Sequence, residues 1–296
     1  MKEKFVNHKF SGGSLQLIET ANAILREYQG QGYRLSLRQL YYQLVARDYI
    51  ENSIRSYKRT GDQVSNARLA GLLDWGMIED RGRETVINPH WTSPAEIVRA
   101  ASRQFQVDRW KGQDVYVEVM VEKDALSGIL EPVCRRLDVR FTANKGYSSS
   151  SAMYEASKRI IEAAKMGKEV HLFYLGDHDP SGIDMTRDIK ERLELFTYNR
   201  IRIETVRLAL NYDQVEKWQP PENPAKETDS RYAVYVEKFG ESSWELDAVE
   251  PATLASLVED AVKELIDLDT WQEVEEDETG MREELERFAD EYEDKE

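Results

Sequence analysis

One cysteine, Cys134, stands in a chain of 296 residues, so no disulfide can form within it. The four histidines, His8, His90, His171 and His178, are scattered. No Cys/His cluster has zinc spacing, which leaves zinc out of the reckoning. No apolar run reaches the roughly 18–20 residues of a membrane span. Met1-Lys2-Glu3-Lys4-Phe5 carries no apolar signal core, and the expectation is a soluble, cytoplasmic protein. Repeats and long low-complexity linkers are missing. So is the G-x-x-x-x-G-K-[ST] loop that cradles nucleotide phosphates, which leaves no ATPase domain to expect.

Acid is abundant: the net charge is −16, which taken alone argues against a nucleic-acid partner. Its distribution argues the other way. Residues 1–110 hold sixteen Lys/Arg against twelve Asp/Glu. From Glu273 to the end there are thirteen acids and three bases. The acidity is therefore concentrated in a tail, 271–296, expected to be a solvated helix or a disordered end. A DNA-mimicking or self-inhibiting tail is the sharper alternative.

Two bodies precede that tail. In the first, 1–111, apolar residues recur at helical spacing over 14–29, and Gly30 and Gly32 end the pattern. Ser36-Leu37-Arg38-Gln39 reads as a capping box opening a helix to about Arg47. A third helix is expected over 62–73. Met77–Asp80 and Glu84–Ile87 read as two short strands about a turn at Arg81-Gly82-Arg83. Helices followed by a hairpin predict a winged helix-turn-helix. In the second body, 112–270, strands over 115–121, 139–142 and 169–175 alternate with helices over 125–137 and 152–165. That alternation predicts a parallel α/β sheet. A further strand is expected over 202–210 and a helix over 254–266, as an extension of the same domain.

The chemistry gathers at two strand ends. One strand runs into Glu122-Lys123-Asp124. A later one runs into Gly176-Asp177-His178-Asp179-Pro180-Ser181-Gly182. Ligands of parallel α/β sheets sit beyond the carboxyl ends of the strands, so Glu122, Asp177 and Asp179 converge there. Asp177 and Asp179, at i and i+2, share one face of extended backbone. Three convergent carboxylates repel one another, and a hard cation such as Mg²⁺ (or Mn²⁺) relieves the repulsion.

Glu at one strand end with G-D-x-D-P-x-G at a later one resembles the TOPRIM domain. The closest form is that of the topoisomerase VI A subunit and its meiotic double-strand-break relative. The resemblance implies that Glu122, Asp177 and Asp179 hold Mg²⁺ at a scissile phosphate. Trp244-Glu245-Leu246-Asp247-Ala248 resembles a C-terminal segment of the same family.

A cleaving enzyme of that kind needs a nucleophile outside the metal domain. Tyr41 and Tyr42 are the candidates, and helical geometry separates them. At about 100° per residue from Leu37, the apolar arc holds Leu40, Tyr41, Leu44 and Val45, with Tyr42 outside it and Arg38 one turn before Tyr42. Tyr41 reads as core and Tyr42 as the residue that reaches substrate. A guanidinium at Arg38 would favour the phenolate and bind the phosphate it attacks. R-x-x-Y-Y on such a helix resembles the catalytic helix of the family, in which the second aromatic position carries the active tyrosine. The resemblance also implies a homodimer, with one subunit's tyrosine at the other's metal, and duplex DNA as substrate. Strand passage driven by ATP would need a separate B-type ATPase subunit. The chain is most similar to minimal members, topo mini-A.

Lys58 and Arg59 just before the third helix, Gln63, Asn66 and Arg68 on it, Arg81 and Arg83 on the wing, and Lys145 in a Gly/Ser loop would grip DNA through its phosphates. The expected activity is Mg²⁺-dependent double-strand cleavage by tyrosine transesterification. The rivals are a hydrolytic nuclease that forms no covalent intermediate and a non-catalytic DNA-binding module.

Overall fold

A computed structural model describes residues 2–79 and 88–293. The first helix, α1 (Gly12–Gly30), is capped by Ser11. A two-residue strand, β1 (Leu35–Ser36), leads into α2 (Leu37–Ala46). The capping box forms as expected: Ser36 Oγ accepts from the Gln39 amide and Gln39 Oε1 accepts from the Ser36 amide. Helix α3 (Ile54–Leu69) begins eight residues earlier than the apolar spacing predicts. Ser53 explains the difference, because its hydroxyl accepts from the Ser56 amide at 3.1 Å and caps a mostly polar first half. Ile18, Leu25, Tyr28, Leu35, Leu40, Leu44 and Leu73 form the core of this half.

Strand β2 (Ile78–Glu79) pairs with β1 in parallel. The rest of the expected hairpin, including Arg81 and Arg83, lies outside the described residues. Helix α4 (Pro94–Gln104), with Ser93 as cap and Pro94 in its first turn, is not legible in the apolar pattern.

The second half has the expected α/β class. Strands β3 (Val115–Val121), β4 (Arg140–Ala143), β5 (Glu169–Leu175) and β6 (Ile203–Ala209) form one all-parallel sheet in the order β4-β3-β5-β6. Helices α5 (Ser127–Arg136), α6 (Ser150–Lys165) and α7 (Pro180–Phe196) provide the crossovers. Both faces of the sheet are covered, which explains why β3 and β5 read as mostly apolar runs; Glu118, the buried acid within β3, is paired with Arg159 at 2.7 Å. Val117, Val119 and Val121 face α5 and a later helix, α10 (Pro251–Lys263). Met120, Leu172 and Tyr174 face α6 and α7.

After β6 come α8 (Tyr212–Trp218), β7 (Glu222–Pro224), α9 (Tyr232–Phe239) and β8 (Ser242–Trp244), with β7 and β8 antiparallel. Helix α10 (Pro251–Lys263) packs on α5. The acidic segment forms a long helix, α11 (Leu268–Glu293), laid along α4. Buried Glu278 anchors it: its carboxylate accepts from the Val107 amide at 3.1 Å and pairs with Arg282 at 2.9 Å. Among the described residues no helix is long and apolar enough to cross a membrane.

Candidate active site at the strand ends

Hydrogen bonding carries β3 and β5 one residue past their ends together: the Glu122 amide donates to the Leu175 carbonyl at 2.9 Å. Glu122 then turns its side chain toward the other strand end, where Oε2 accepts from the Asp177 amide at 2.8 Å. Gly176 makes this approach possible. A Cβ there would stand 2.8 Å from both Glu122 Oε2 and the Tyr174 hydroxyl. Gly182 allows a similar close approach, because its Cβ would lie 2.2 Å from the Asp177 carbonyl oxygen. Gly176→Ala should therefore displace the Glu122 carboxylate and, if Glu122 is the ion ligand that the resemblance implies, weaken Mn²⁺ binding by at least about tenfold. Calorimetric titration of the variant with Mn²⁺ checks this; unchanged affinity would mean that Glu122 does not touch the ion.

Glu122 and Asp177 are buried, and Asp179 is partly so. Burial, and after it the charge of Asp177, push the Glu122 carboxyl up to about 7. Burial also pushes Asp177 upward, against the pull of Lys123. Asp179 also caps α7, since its Oδ1 accepts from the Gly182 amide at 2.5 Å and from the Ser181 hydroxyl at 3.0 Å. That cap, with Pro180 in the first turn, is the signal from which α7 could have been anticipated.

His178, between the two aspartates, points away from them. It is 1% exposed, among the rings of Tyr212, Tyr235, Phe239 and Trp244. Its Nδ1 lies 2.8 Å from the Tyr235 hydroxyl, which also contacts the His178 and Ser242 carbonyl oxygens. A carbonyl only accepts, so the tyrosine's one proton goes to a carbonyl and Nδ1–H donates to the tyrosine. Burial, and behind it the charge of Arg207, pull the imidazole down to about 4. A histidine so depressed binds fewer protons folded than unfolded between the unfolded value of about 6.5 and 4. Its contribution is complete above 6.5 and is lost as pH falls through that window. The ring resonances of His178 should titrate near 4 by NMR. Relative to His178→Gln, the native chain should lose roughly 3 kcal/mol of stability between pH 6.5 and 4.

Strand β8 runs antiparallel to the turn, exchanging two main-chain hydrogen bonds of 2.9 Å between His178 and Trp244. The pairing brings Glu245 and Asp247 to the aspartates, and the Leu246 amide donates to Asp177 Oδ1 at 2.8 Å. Lys123 stands in the middle. Its Nζ is 2.8 Å from Asp177 Oδ2, 2.8 Å from Glu245 Oε2 and 3.2 Å from Asp247 Oδ2. Arg207, from β6, supports the turn from beneath. It donates to the carbonyls of Gly176 (2.9 Å), Asp177 (2.6 Å) and Gly182 (2.9 Å) and to the Thr186 hydroxyl (2.8 Å).

The first half of the chain meets this cluster through α2. Arg38 donates to Glu245 at 2.6 Å and lies 3.7 Å from Asp247. The Tyr42 hydroxyl accepts from Asn223 at 3.2 Å, and the ring packs against Ala248. A second clasp joins the halves one turn away, where the Tyr28 hydroxyl reaches both oxygens of Glu250 at 2.7 and 2.6 Å.

The tyrosine helix differs from its wheel. Tyr41 and Tyr42 are both 3% exposed. The wheel places Tyr42 outside the apolar arc, on a face that the second half of the chain covers. Arg38 does favour the phenolate, as expected, but it does not prevail. Burial and the charge of Glu245 outweigh it and push the Tyr42 phenol up to about 12.

Among the expected DNA contacts, Lys58, Arg59 and Lys145 are exposed, while Gln63 and Asn66 are half-buried. Arg68 donates to the Trp75 and Ile78 carbonyls and lies over the Trp75 ring, tying α3 to β2.

Lys123, Asn223, Glu245, Asp247 and Arg207 are not among the expected site residues. The acid pair at i and i+2 in Glu245-Leu246-Asp247 is the one signal that could have raised the first suspicion.

As placed, no three Asp, Glu, His or Cys side chains among the described residues stand together as a cage for an ion. Lys123 spaces them, and Asp179 caps a helix. The donor chemistry nevertheless fits a hard dication. Glu122, Asp177, Asp179, Glu245 and Asp247 offer only carboxylate oxygens. Five acids face three cations, Lys123, Arg38 and Arg207, an excess of two negative charges. No protein-family model matches this sequence, and no curated protein is significantly similar to it.

Proposed function

We propose that this chain binds duplex DNA and cleaves it with Tyr42, with Glu122, Asp177 and Asp179 holding Mg²⁺ and the two halves acting as a winged-helix and a TOPRIM-like domain. The observation that carries the reading is the convergence of Arg38 and Tyr42, from α2, on the Glu245–Asp247 segment that also borders Asp177. A nucleophile and a guanidinium from one helix face a carboxylate cluster drawn from later parts of the chain, at the carboxyl end of one parallel sheet.

The residues divide the work. Attack by Tyr42 Oη on phosphorus forms an O–P bond and breaks the P–O3′ bond. The phenol gives up its proton and the departing 3′ oxygen takes one up. Arg38, now paired with Glu245, would turn to a phosphate oxygen, which it can hold through two parallel hydrogen bonds. Mg²⁺, when bound, supplies charge stabilisation on the phosphate oxygens.

A hydrolytic nuclease is the second reading, favoured by the burial of Tyr42 and its raised phenol. Supercoiled plasmid, incubated with Mg²⁺ or Mn²⁺, stopped in detergent and run with and without protease, separates the two. Protein attached to the broken ends, lost in Tyr42→Phe and Glu122→Ala, supports the transesterase. Cutting that survives Tyr42→Phe with free ends would overturn the role of Tyr42. Duplex binding without cutting would leave a binding module.

A further inference from the structure

Lys123, Glu245 and Asp247 are not used by the carboxylate triad, yet they form the most charged enclosure in the described residues. Three carboxylates, Asp177, Glu245 and Asp247, surround one ammonium at 2.8, 2.8 and 3.2 Å. Asp247 is the telling member. It is 2% exposed, and neither of its oxygens accepts a hydrogen bond. Oδ2 nevertheless points at Lys123 Nζ. Arg38, the other cation in reach, stands off at 3.7 Å. A buried carboxylate with so little hydrogen bonding is costly unless a cation compensates it closely. The backbone fixes it there: β8 is hydrogen-bonded to the acidic turn, and the Leu246 amide is committed to Asp177.

We infer that Asp177, Glu245 and Asp247 form a second divalent-cation site, which the Lys123 ammonium fills until the ion displaces it. The inference extends the proposed function and shares Asp177 with it. The charge balance supports two ions. With Lys123 swung out, five carboxylates face Arg38, Arg207 and two dications, which leaves one positive charge for a phosphodiester to neutralise. Oxygen-only ligands select Mg²⁺ or Mn²⁺ over softer metals. The freed Lys123 then becomes a cation beside the substrate phosphate.

Mn²⁺ titration followed by electron paramagnetic resonance counts bound ions without any activity assay. Asp247→Asn and Glu245→Gln should each weaken one class of bound Mn²⁺ by at least about tenfold. Lys123→Met should tighten the same class, since a competing charge is gone. Melting temperatures give an independent readout. Without metal, Asp247→Asn should be as stable as the native chain or more so, and with Mn²⁺ it should gain less. A melting temperature lowered equally with and without Mn²⁺ would reduce Asp247 to a structural partner of Lys123 and overturn the inference. So would Mn²⁺ binding that Glu122→Gln weakens and neither Asp247→Asn nor Glu245→Gln touches, an outcome that leaves the proposed triad standing. Binding lost in Asp247→Asn but unchanged in Glu122→Gln would keep the second site and remove the triad. Failure of the native chain to bind Mn²⁺ would end both.

Discussion

Tyr42→Phe is expected to lower DNA cleavage by about 10⁴-fold or more while changing folding stability by no more than about 1 kcal/mol. The two halves of the expectation have separate physical origins. Cleavage through a phosphotyrosine has no other oxygen to form the bond, so removing the hydroxyl removes the step. The fold loses little. The ring keeps its packing against Ala248 and Tyr41, and the hydroxyl gives up a long contact with Asn223 at 3.2 Å and its interactions with Arg38 and Glu245. A phenol pushed up to about 12 is also poorly ionised here, because burial and Glu245 outweigh Arg38 and Asn223. Measuring plasmid cleavage and urea unfolding on the same preparation checks both parts. Cleavage within tenfold of the native rate would assign the chemistry to water.

Burial of Tyr42 bears on the order of events. Ionising the phenol is uphill while Glu245 faces it and solvent is excluded. Arg38 is committed to Glu245 and Asp247, whose charges hold it protonated against the cost of burial. A DNA phosphate that draws Arg38 from Glu245 would therefore loosen the contact between the halves and change the phenol's field in one move. The free chain is then a guarded state, and cleavage is expected to depend steeply on duplex binding.

What could be read from the sequence follows the reach of each signal. Strands β3 and β5 are legible to the residue because a sheet covered on both faces makes its strands mostly apolar, with Glu118 the buried exception in β3. The capping box of α2 is legible because both partners lie within four residues. Helix α3 reads short because its first half, Ile54–Gly61, carries no apolar stripe and depends on Ser53 for its start. Helix α7 escapes notice when Asp179 is weighed as a metal ligand and not as a cap. The wheel for α2 ranks Tyr41 and Tyr42 by the apolarity of their own helix. It cannot register that β7, 181 residues onward, and the Glu245–Ala248 segment, farther still, close over the second face. Glu245, Asp247 and Arg207 belong to that same class of long-range neighbours, and Asp177 meets them through a strand pairing that no local pattern announces.

Arg207→Met is expected to cost about 3–5 kcal/mol and to abolish tight Mn²⁺ binding, although the residue touches none of the five carboxylates. Its guanidinium donates to three carbonyls of the Gly176–Gly182 turn, reaches Leu210 at 3.3 Å, and closes on the Thr186 hydroxyl. Removing it takes a donor from each of those acceptors, although the Gly176 carbonyl keeps the Leu210 amide at 2.8 Å, and a carbonyl oxygen left with no partner costs about 1–3 kcal/mol before relaxation. It also withdraws a positive charge from beneath Glu122, Asp177 and Asp179, which already repel one another. The turn would then relax outward, separating the carboxylates. Arg207→Lys tests charge against geometry. A lysine restores the charge but not the planar fork that spans Gly176 and Gly182 together. Stability should recover in part while Mn²⁺ affinity stays at least about tenfold below native. Full recovery of both in Arg207→Lys would show that charge alone organises the turn, and denaturant unfolding with Mn²⁺ titration on the two variants decides between them.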